Sequence, residues 1–310
     1  MKPIKFYSNG KLLLSAEYLV VDGAQALAVP TDKGQSLTVN KIEGMPILSW
    51  NSWTFDKQCW LEISFSLPEL NIISTSDKEK ANWLKKLLRA ARELNTSFLN
   101  ETIAIDVNTQ LEFPRDWGLG SSSTLINNVA QWANVNPFIL HFKVSNGSGY
   151  DIACAKEDSP IVYSTKHEIQ TINPIQLEKN FFDRVFFVHL NKKQNSFDAV
   201  RSYNDIKKGI EIQDCIESLN QITNKFIQAD TLKGWEEAMN EHENLISNIL
   251  EQETIKEKLF PMYPHSIKSL GAWGGDFIMV SGSIEDSNYF IERGYNTVIF
   301  FDQMILNAHS

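Results

Sequence analysis

The segment Pro114-Arg-Asp-Trp-Gly-Leu-Gly-Ser-Ser-Ser-Thr124 sets two glycines, three serines and a threonine between an extended run (residues 102–107) and an apolar helical run (residues 125–133). Glycine lets backbone approach a ligand closely and take dihedrals that other residues avoid. Hydroxyls at a helix start cap free N–H groups. A helix N-terminus, with unpaired donors and the positive end of the dipole, is an anion site. Together these residues offer phosphate binding. An ordinary helix cap after a flexible turn fits the same composition, because short Gly/Ser motifs are common. The chain has no Gly-x-x-x-x-Gly-Lys-Ser/Thr loop, no Gly-x-Ser-x-Gly elbow and no protein-kinase catalytic-loop pair.

Two further glycine turns end in carboxylates. Asn146-Gly147-Ser148-Gly149-Tyr150-Asp151 precedes a helical run, so Asp151 either caps that helix or does chemistry. Gly271-Ala-Trp-Gly274-Gly275-Asp276 precedes the strand-like run 277–280. Near the start, Lys11 and Glu17 border a mostly apolar segment, where isolated charges read as solvated strand ends. Lys193 and Ser196 lie in a polar turn before a helix near 197–204, and fit either a contact to a substrate phosphate or a solvated turn.

The elements that must hold these turns follow from periodicity. Residues 4–8 and 11–15 read as strands around an Asn9-Gly10 turn. Residues 35–70 read as a β-rich meander with Asn51-Ser52 as a hairpin turn. Ser76-x-x-Glu79 has the form of a capping box opening a helix with Trp83, Leu84, Leu87, Leu88, Ala91 and Leu94 on its apolar face. A short helix starts near Asn136-Pro137, proline being welcome in a first turn. A strand over 161–163 leads into a loose polar stretch, 164–180, which is the expected domain boundary. Beyond it come a strand over 184–190 and two long amphipathic helices, whose stripes (Ile212, Ile216, Leu219, Ile222 and Phe226; Trp235, Met239, Ile246, Ile249 and Leu250) are core. A helix is expected before the third glycine turn, with a helix over 285–293 and a strand over 296–301 after it.

Composition narrows the function classes. Hydrophobic residues at 43% and charged residues at 22% are a globular balance. A net charge of −9 argues against a nucleic-acid or anionic-membrane surface. The three cysteines have no metal or redox spacing, which fits a reducing compartment. No signal-peptide pattern and no membrane-length apolar run occurs, so a cytoplasmic soluble protein is expected.

Taken in order, the three glycine turns resemble the motifs of the GHMP kinase superfamily: galactokinase, homoserine kinase, mevalonate kinase and phosphomevalonate kinase. The first motif is similar to Gly10-Lys11-Leu-Leu-Leu-Ser-Ala-Glu17, the second to Pro114-x-x-x-Gly118-Leu-Gly120-Ser121-Ser122, and the third to Ser269-Leu-Gly271-Ala-Trp-Gly274-Gly275-Asp276. Gly147-Ser148-Gly149-Tyr150-Asp151 resembles the family's aspartate-bearing loop. The resemblance implies a two-domain α+β fold: an N-terminal domain (residues 1–170) with the phosphate loop, and a ferredoxin-like C-terminal domain (residues 171–310). It implies ATP and Mg²⁺ as cofactors, with Gly118, Leu119, Gly120, Ser121, Ser122 and Ser123 around the nucleotide phosphates and the Ser122 hydroxyl on the metal. Asp151 would take the acceptor proton, Lys11 would stabilise charge beside it, and Glu17, Ser148, Gly149, Gly274 and Gly275 would line the acceptor.

The resemblance also implies the acceptor class. The motif-one lysine points to a kinase rather than a decarboxylase, and Gly-Ser-Gly-Tyr-Asp is closer to the phosphomevalonate kinase branch. The expected activity is transfer of the γ-phosphoryl group of ATP to mevalonate or phosphomevalonate. The expected state is a monomer or homodimer in isoprenoid biosynthesis, with no nucleic-acid or membrane partner. A sugar or amino-acid-alcohol kinase and a nucleotide-binding member without turnover are the alternatives. Departures from the pattern are Ala16 for glycine, Tyr18 for the histidine of mevalonate kinases, the bulky Trp273, and Ile139-Leu140-His141 where mevalonate kinases carry a metal-binding glutamate.

Overall fold

In a computed structural model of the chain, the described residues are 2–100, 102–166, 169–192, 201, 203–209, 211–273 and 275–306. They divide into two compact units: Met1–Gly10, Lys33–Arg115 and Leu119–Lys156 form the first, and Lys11–Asp32, Asp116–Gly118 and Glu157–Ser310 the second. Strands β1 (Ile4–Leu13) and β2 (Ala26–Ile42) each contribute to both.

In the first unit, β3 (Ile47–Trp53), β4 (Cys59–Ser66), β5 (Ile72–Thr75) and β6 (Ala104–Leu111) join the second half of β2 in the order β5-β4-β3-β6-β2. The β3–β6 pairing is parallel and the others are antiparallel. Burial alternates along β3 and β6, as expected for strands with one face on a core. Helices α1 (Lys78–Leu94), α2 (Ser121–Ala133), α3 (Pro137–Val144) and α4 (Tyr150–Lys156) pack against one another. The fully buried Trp50 of β3 meets Trp132 of α2, ring centroids 6.5 Å apart.

Several turn signals are overridden. Asn51 and Ser52 lie inside β3, paired with Glu62 and Leu61, and the chain reverses at 54–58 instead. Asn9-Gly10 likewise sits within β1. Ladder pairing on both sides of these residues outweighs a dipeptide's turn preference, because strand formation is set by context more than by local propensity. The α1 cap is Asp77, accepting from the Lys80 amide at 3.0 Å, and not Ser76. Asn136 caps α3 with Pro137 in its first turn, as expected.

In the second unit, β7 (Ile161–Lys166) pairs with residues 26–28 of β2 and with β8 (Ile169–Pro174), so the stretch expected to be loose carries a hairpin. A four-stranded antiparallel sheet has the order β10-β11-β9-β12, with β9 Val185–His189, β10 Ile267–Ser269, β11 Phe277–Ser281 and β12 Val298–Phe300. The third glycine turn therefore follows a strand, β10, and not a helix. The two long helices, α5 (Ile212–Gln228) and α6 (Leu232–Leu250), bury the expected stripes except Ile212, which is half-buried at the first position of α5. The helix expected near 197–204 lies largely outside the described residues. No helix among the described residues is long and apolar enough to cross a membrane.

A polar cluster is sealed inside this unit. Lys268 Nζ of β10 donates to Glu17 Oε1 at 2.6 Å, and both side chains are fully buried. His242 Nε2 of α6 lies 2.9 Å from Glu17 Oε2 and 3.1 Å from the Ala16 amide. The neighbouring Glu243 accepts from Ser269 Oγ at 3.0 Å and Trp273 Nε1 at 3.2 Å. Burial would raise the Glu17 carboxyl, but the Lys268 charge and then His242 outweigh it and hold it at about 2. Burial pushes the Glu243 carboxyl up to about 8, with the Glu17 charge adding to the rise and Lys268 opposing it. Burial, reinforced by Lys268, lowers the His242 imidazole. At neutral pH the cluster is one ion pair supported by a neutral histidine and a protonated carboxyl.

Two stability predictions follow. Lys268→Met leaves the Glu17 carboxylate buried without its cation and should cost roughly 3–5 kcal/mol in urea unfolding; adding Glu17→Gln should recover part of that loss. Glu243 holds its proton more tightly folded (about 8) than at its ordinary 4.5, so its contribution is complete below pH 4.5 and is lost as pH rises towards 8. Glu17 acts in the opposite sense, losing its contribution as pH falls from 4.5 to about 2. Glu243→Gln should therefore flatten the decline in melting temperature between pH 4.5 and 8 while leaving the acid limb in place.

Candidate active site

The glycine–serine loop is anchored at both ends. Its first part, residues 116–118, belongs to the second unit. There the Trp117 ring meets Phe277 edge-on at 5.4 Å, and His189 Nε2 lies 3.2 Å from Asp116 O. Gly118 takes φ +67°, and its carbonyl accepts from Lys11 Nζ at 2.8 Å.

Its second part opens α2 in the first unit. The N-cap is Gly120, left-handed at φ +88°, with no side-chain cap. The hydroxyls do not cap amides, contrary to expectation. Ser123 Oγ and Thr124 Oγ1 instead donate to Gly120 O at 2.8 and 3.1 Å, and Thr124 Oγ1 lies 2.6 Å from Gln35 Oε1. The first-turn N–H groups, which have no intrahelical acceptor, are thereby left to an outside partner. Ser121 is half-buried and Ser122 exposed, and neither hydroxyl has a partner among the described residues. Uncapped amides, exposed hydroxyls and a dipole end make an anion cradle.

The aspartate loop lies in the same unit. Gly149 takes φ +89°, Ser148 is buried, and Asp151 is half-buried in the first turn of α4. Asp151 Oδ1 accepts from the Ile152 amide at 3.0 Å, a local capping contact that leaves Oδ2 for another donor. A buried amide network ties α2 to α4. Asn127 Nδ2 reaches Ala155 O at 3.1 Å and Ser8 Oγ at 2.9 Å, while Ser8 Oγ also bonds Asn128 Oδ1 at 2.8 Å. The structure thus holds the serine end of the loop and Asp151 on two helices joined by buried hydrogen bonds. His141 is 98% buried, and neither ring nitrogen has a partner among the described residues.

In the second unit Lys11, Gly118 and the third turn come together. A Cβ on Gly118 would lie 2.6 Å from the Asp276 carboxylate, so only glycine fits there. Gly271 takes φ +66°, and Trp273 and Asp276 take +48° and +53°, left-handed values rare for side-chain-bearing residues. Gly275 is buried. Gly274, Lys193 and Ser196 lie outside the described residues. Glu17 is corrected: expected at the acceptor, it is sealed against Lys268 and His242 with no exposed surface.

Asn127, Asn128, Lys268, His242 and Glu243 were missed from the sequence. The asparagine pair within an apolar helical run was a readable signal for the first two. For His242 and Lys268 the partners are 226 and 251 positions away, and for Glu243 they are 26 and 30, so no local pattern marks them. Among the described residues no group of three or more His, Cys, Asp or Glu could hold a metal ion by itself.

No protein-family model matches the chain, and no curated protein matches it by sequence. Solved structures do. The L. major mevalonate kinase in complex with R-mevalonate is 13% identical, with 99% of this chain and 97% of that chain covered at a TM-score of 0.71. The Streptococcus pneumoniae phosphomevalonate kinase in complex with phosphomevalonate and AMPPNP is 15% identical, with 97% and 100% covered at 0.70. The Lactococcus lactis galactokinase complexed with galactose is 13% identical, with 98% and 94% covered at 0.63. With near-complete coverage in both directions, the chain has the two-domain α+β fold of the GHMP kinases.

Proposed function

We propose that this protein is an ATP-dependent small-molecule kinase that transfers the γ-phosphoryl group to a small acid of the mevalonate type, mevalonate or phosphomevalonate. The observation that carries the reading is the uncapped start of α2, where Gly120 offers the first-turn amides no side-chain cap and Ser123 and Thr124 give their hydroxyls to its carbonyl. The fold and the order of the glycine turns support the same reading. Phosphoryl transfer needs charge neutralisation and alignment more than covalent help, and that is what a row of amides, a lysine and a carboxylate supply.

Each residue then has a bounded task. The amides from Leu119 to Ser123 hold the nucleotide phosphates. Lys11, fixed on Gly118 O, contributes positive charge at the loop. Mg²⁺ keeps several waters and takes few protein ligands besides phosphate oxygens, so an exposed, unpartnered Ser122 hydroxyl fits it; the bound metal would supply charge neutralisation. Asp151, with Oδ1 occupied by the Ile152 amide, would offer Oδ2 to the acceptor hydroxyl and take its proton. Ser148, Gly149 and Gly275 are proposed to border the acceptor.

The test is Mg²⁺-dependent ADP release from ATP with mevalonate, phosphomevalonate, homoserine and a panel of sugars as acceptors. Turnover with one of the two acids is expected. Nucleotide binding without turnover on any acceptor would overturn the kinase assignment, and turnover on a sugar or homoserine alone would overturn the acceptor. Asp151→Ala should lower kcat by about 10²–10⁴-fold while leaving nucleotide affinity within about twofold. Near-normal turnover in that variant would reduce Asp151 to a helix cap.

A further inference from the structure

His141 is a buried polar group that the reading above leaves without a task. It stands on α3, only 2% exposed, and neither ring nitrogen has a partner among the described residues. A neutral imidazole keeps one N–H donor and one lone pair, and buried groups of that kind are almost always paired. The loop of residues 145–149, which joins α3 to α4 and so leads to Asp151, lies on the ring. A Cβ on Gly147 would meet His141 Nε2 at 3.3 Å and Cε1 at 3.4 Å. Gly147 is exposed and its backbone is not left-handed, so glycine serves there to let the loop rest on the imidazole.

The same loop holds a complementary unmet group. Ser145 lies one helical turn beyond His141, its amide on His141 O at 2.8 Å, and residues four apart face each other. Ser145 Oγ accepts from the Gly147 amide at 3.4 Å, longer than the usual value of about 2.9–3.0 Å. Its hydroxyl proton has no acceptor among the described residues. Ser145 Oγ lies 3.8 Å from the same Cβ position that His141 Nε2 approaches. An unused donor and an unused acceptor thus flank one point of a loop held there by a long bond, and they are not joined. We propose that His141 is a positioning residue for the acceptor: as the acceptor settles against Ser148 and Gly149, residues 145–147 re-seat and Ser145 Oγ–H donates to His141 Nε2. This rests on the kinase reading, in which Ser148 and Gly149 border the acceptor. The bond is absent from the loop's present seat and made in the other, so its whole worth goes to whatever stabilises the second seat.

The test reads kinetics and stability together, with whichever acceptor of the panel above the wild type turns over. His141→Leu removes two unpaired buried nitrogens and should raise the melting temperature by about 2 °C. It should also raise KM for the acceptor about tenfold, the worth of one hydrogen bond. Its kcat and AMPPNP affinity should stay within about twofold, because binding shared by ground and transition states moves KM alone. His141→Gln keeps one donor and one acceptor and should hold KM within about threefold of wild type. Ser145→Ala should reproduce the rise in KM, and the His141→Leu/Ser145→Ala double variant should add nothing to it. A lower melting temperature for His141→Leu would show a ring already paired and overturns the proposal. An unchanged KM in either single variant overturns it too, as does a fall in kcat at constant KM, which would make His141 a mere support for Asp151. His141→Met takes the place of the leucine variant if the latter does not melt cooperatively. A wild type that turns over no acceptor removes the kinase reading and this inference together. Turnover with a KM independent of residues 141 and 145 removes this inference alone.

Discussion

The ion pair between Glu17 and Lys268 is the constraint on which the second unit depends. Both groups are withdrawn from water, and such a pair commonly returns no more stability than well-packed apolar side chains of equal size. What it adds here is position. A buried carboxylate has one acceptable place, beside its cation, and residue 268 immediately precedes the third glycine turn. The pair therefore sets the first motif and the third in fixed register across 251 residues of chain. Glu243 extends the constraint: kept neutral by burial, it accepts from Ser269 and from the Trp273 indole without adding a second buried charge.

A second constraint acts at the start of α2. Serine and threonine at a helix N-terminus normally satisfy its free amides, but here a left-handed glycine occupies the cap and the hydroxyls face carbonyls. A helix start without an internal partner is costly only when it is buried dry. Ser122 is exposed, so this helix start is not buried dry. The amide network through Ser8, Asn127 and Asn128 meets a different need, holding α2 and α4 together with directional bonds where apolar packing would allow sliding.

What the sequence made legible is what local pattern encodes. The stripes of α5 and α6, the Asn136–Pro137 start of α3 and the loop-to-helix step at Gly120 all follow from spacing within one or two turns. Asn9-Gly10 and Asn51-Ser52 misled because a turn dipeptide competes with ladder hydrogen bonds on both sides, and at Asn51 those bonds run to β4 and β6 at once. Strand β10 was illegible for another reason. It is three residues long with a lysine at its centre, and that lysine is buried only because a glutamate from the other end of the chain meets it. Glu17 was misjudged for the same cause, since its environment is wholly non-local.

The non-glycine residues of the glycine motifs show how such departures are tolerated. Ala16, Tyr18, Trp273 and Asp276 all take left-handed backbone, at a cost of roughly 1–2 kcal/mol each for side-chain-bearing residues. Each is held by a contact: the Ala16 amide on His242, the Tyr18 ring against the Tyr203 ring, the Trp273 indole on Glu243, and the Asp276 backbone on Lys192 and Leu190. Glycine reaches these dihedrals freely but also leaves them freely. A side chain forced into them and then tied to a buried acceptor gives a turn with one conformation, so the third turn presents the Asp276 carboxylate to Gly118 as a fixed wall. The departures that make the motif look degenerate in sequence are, in structure, what fixes its geometry.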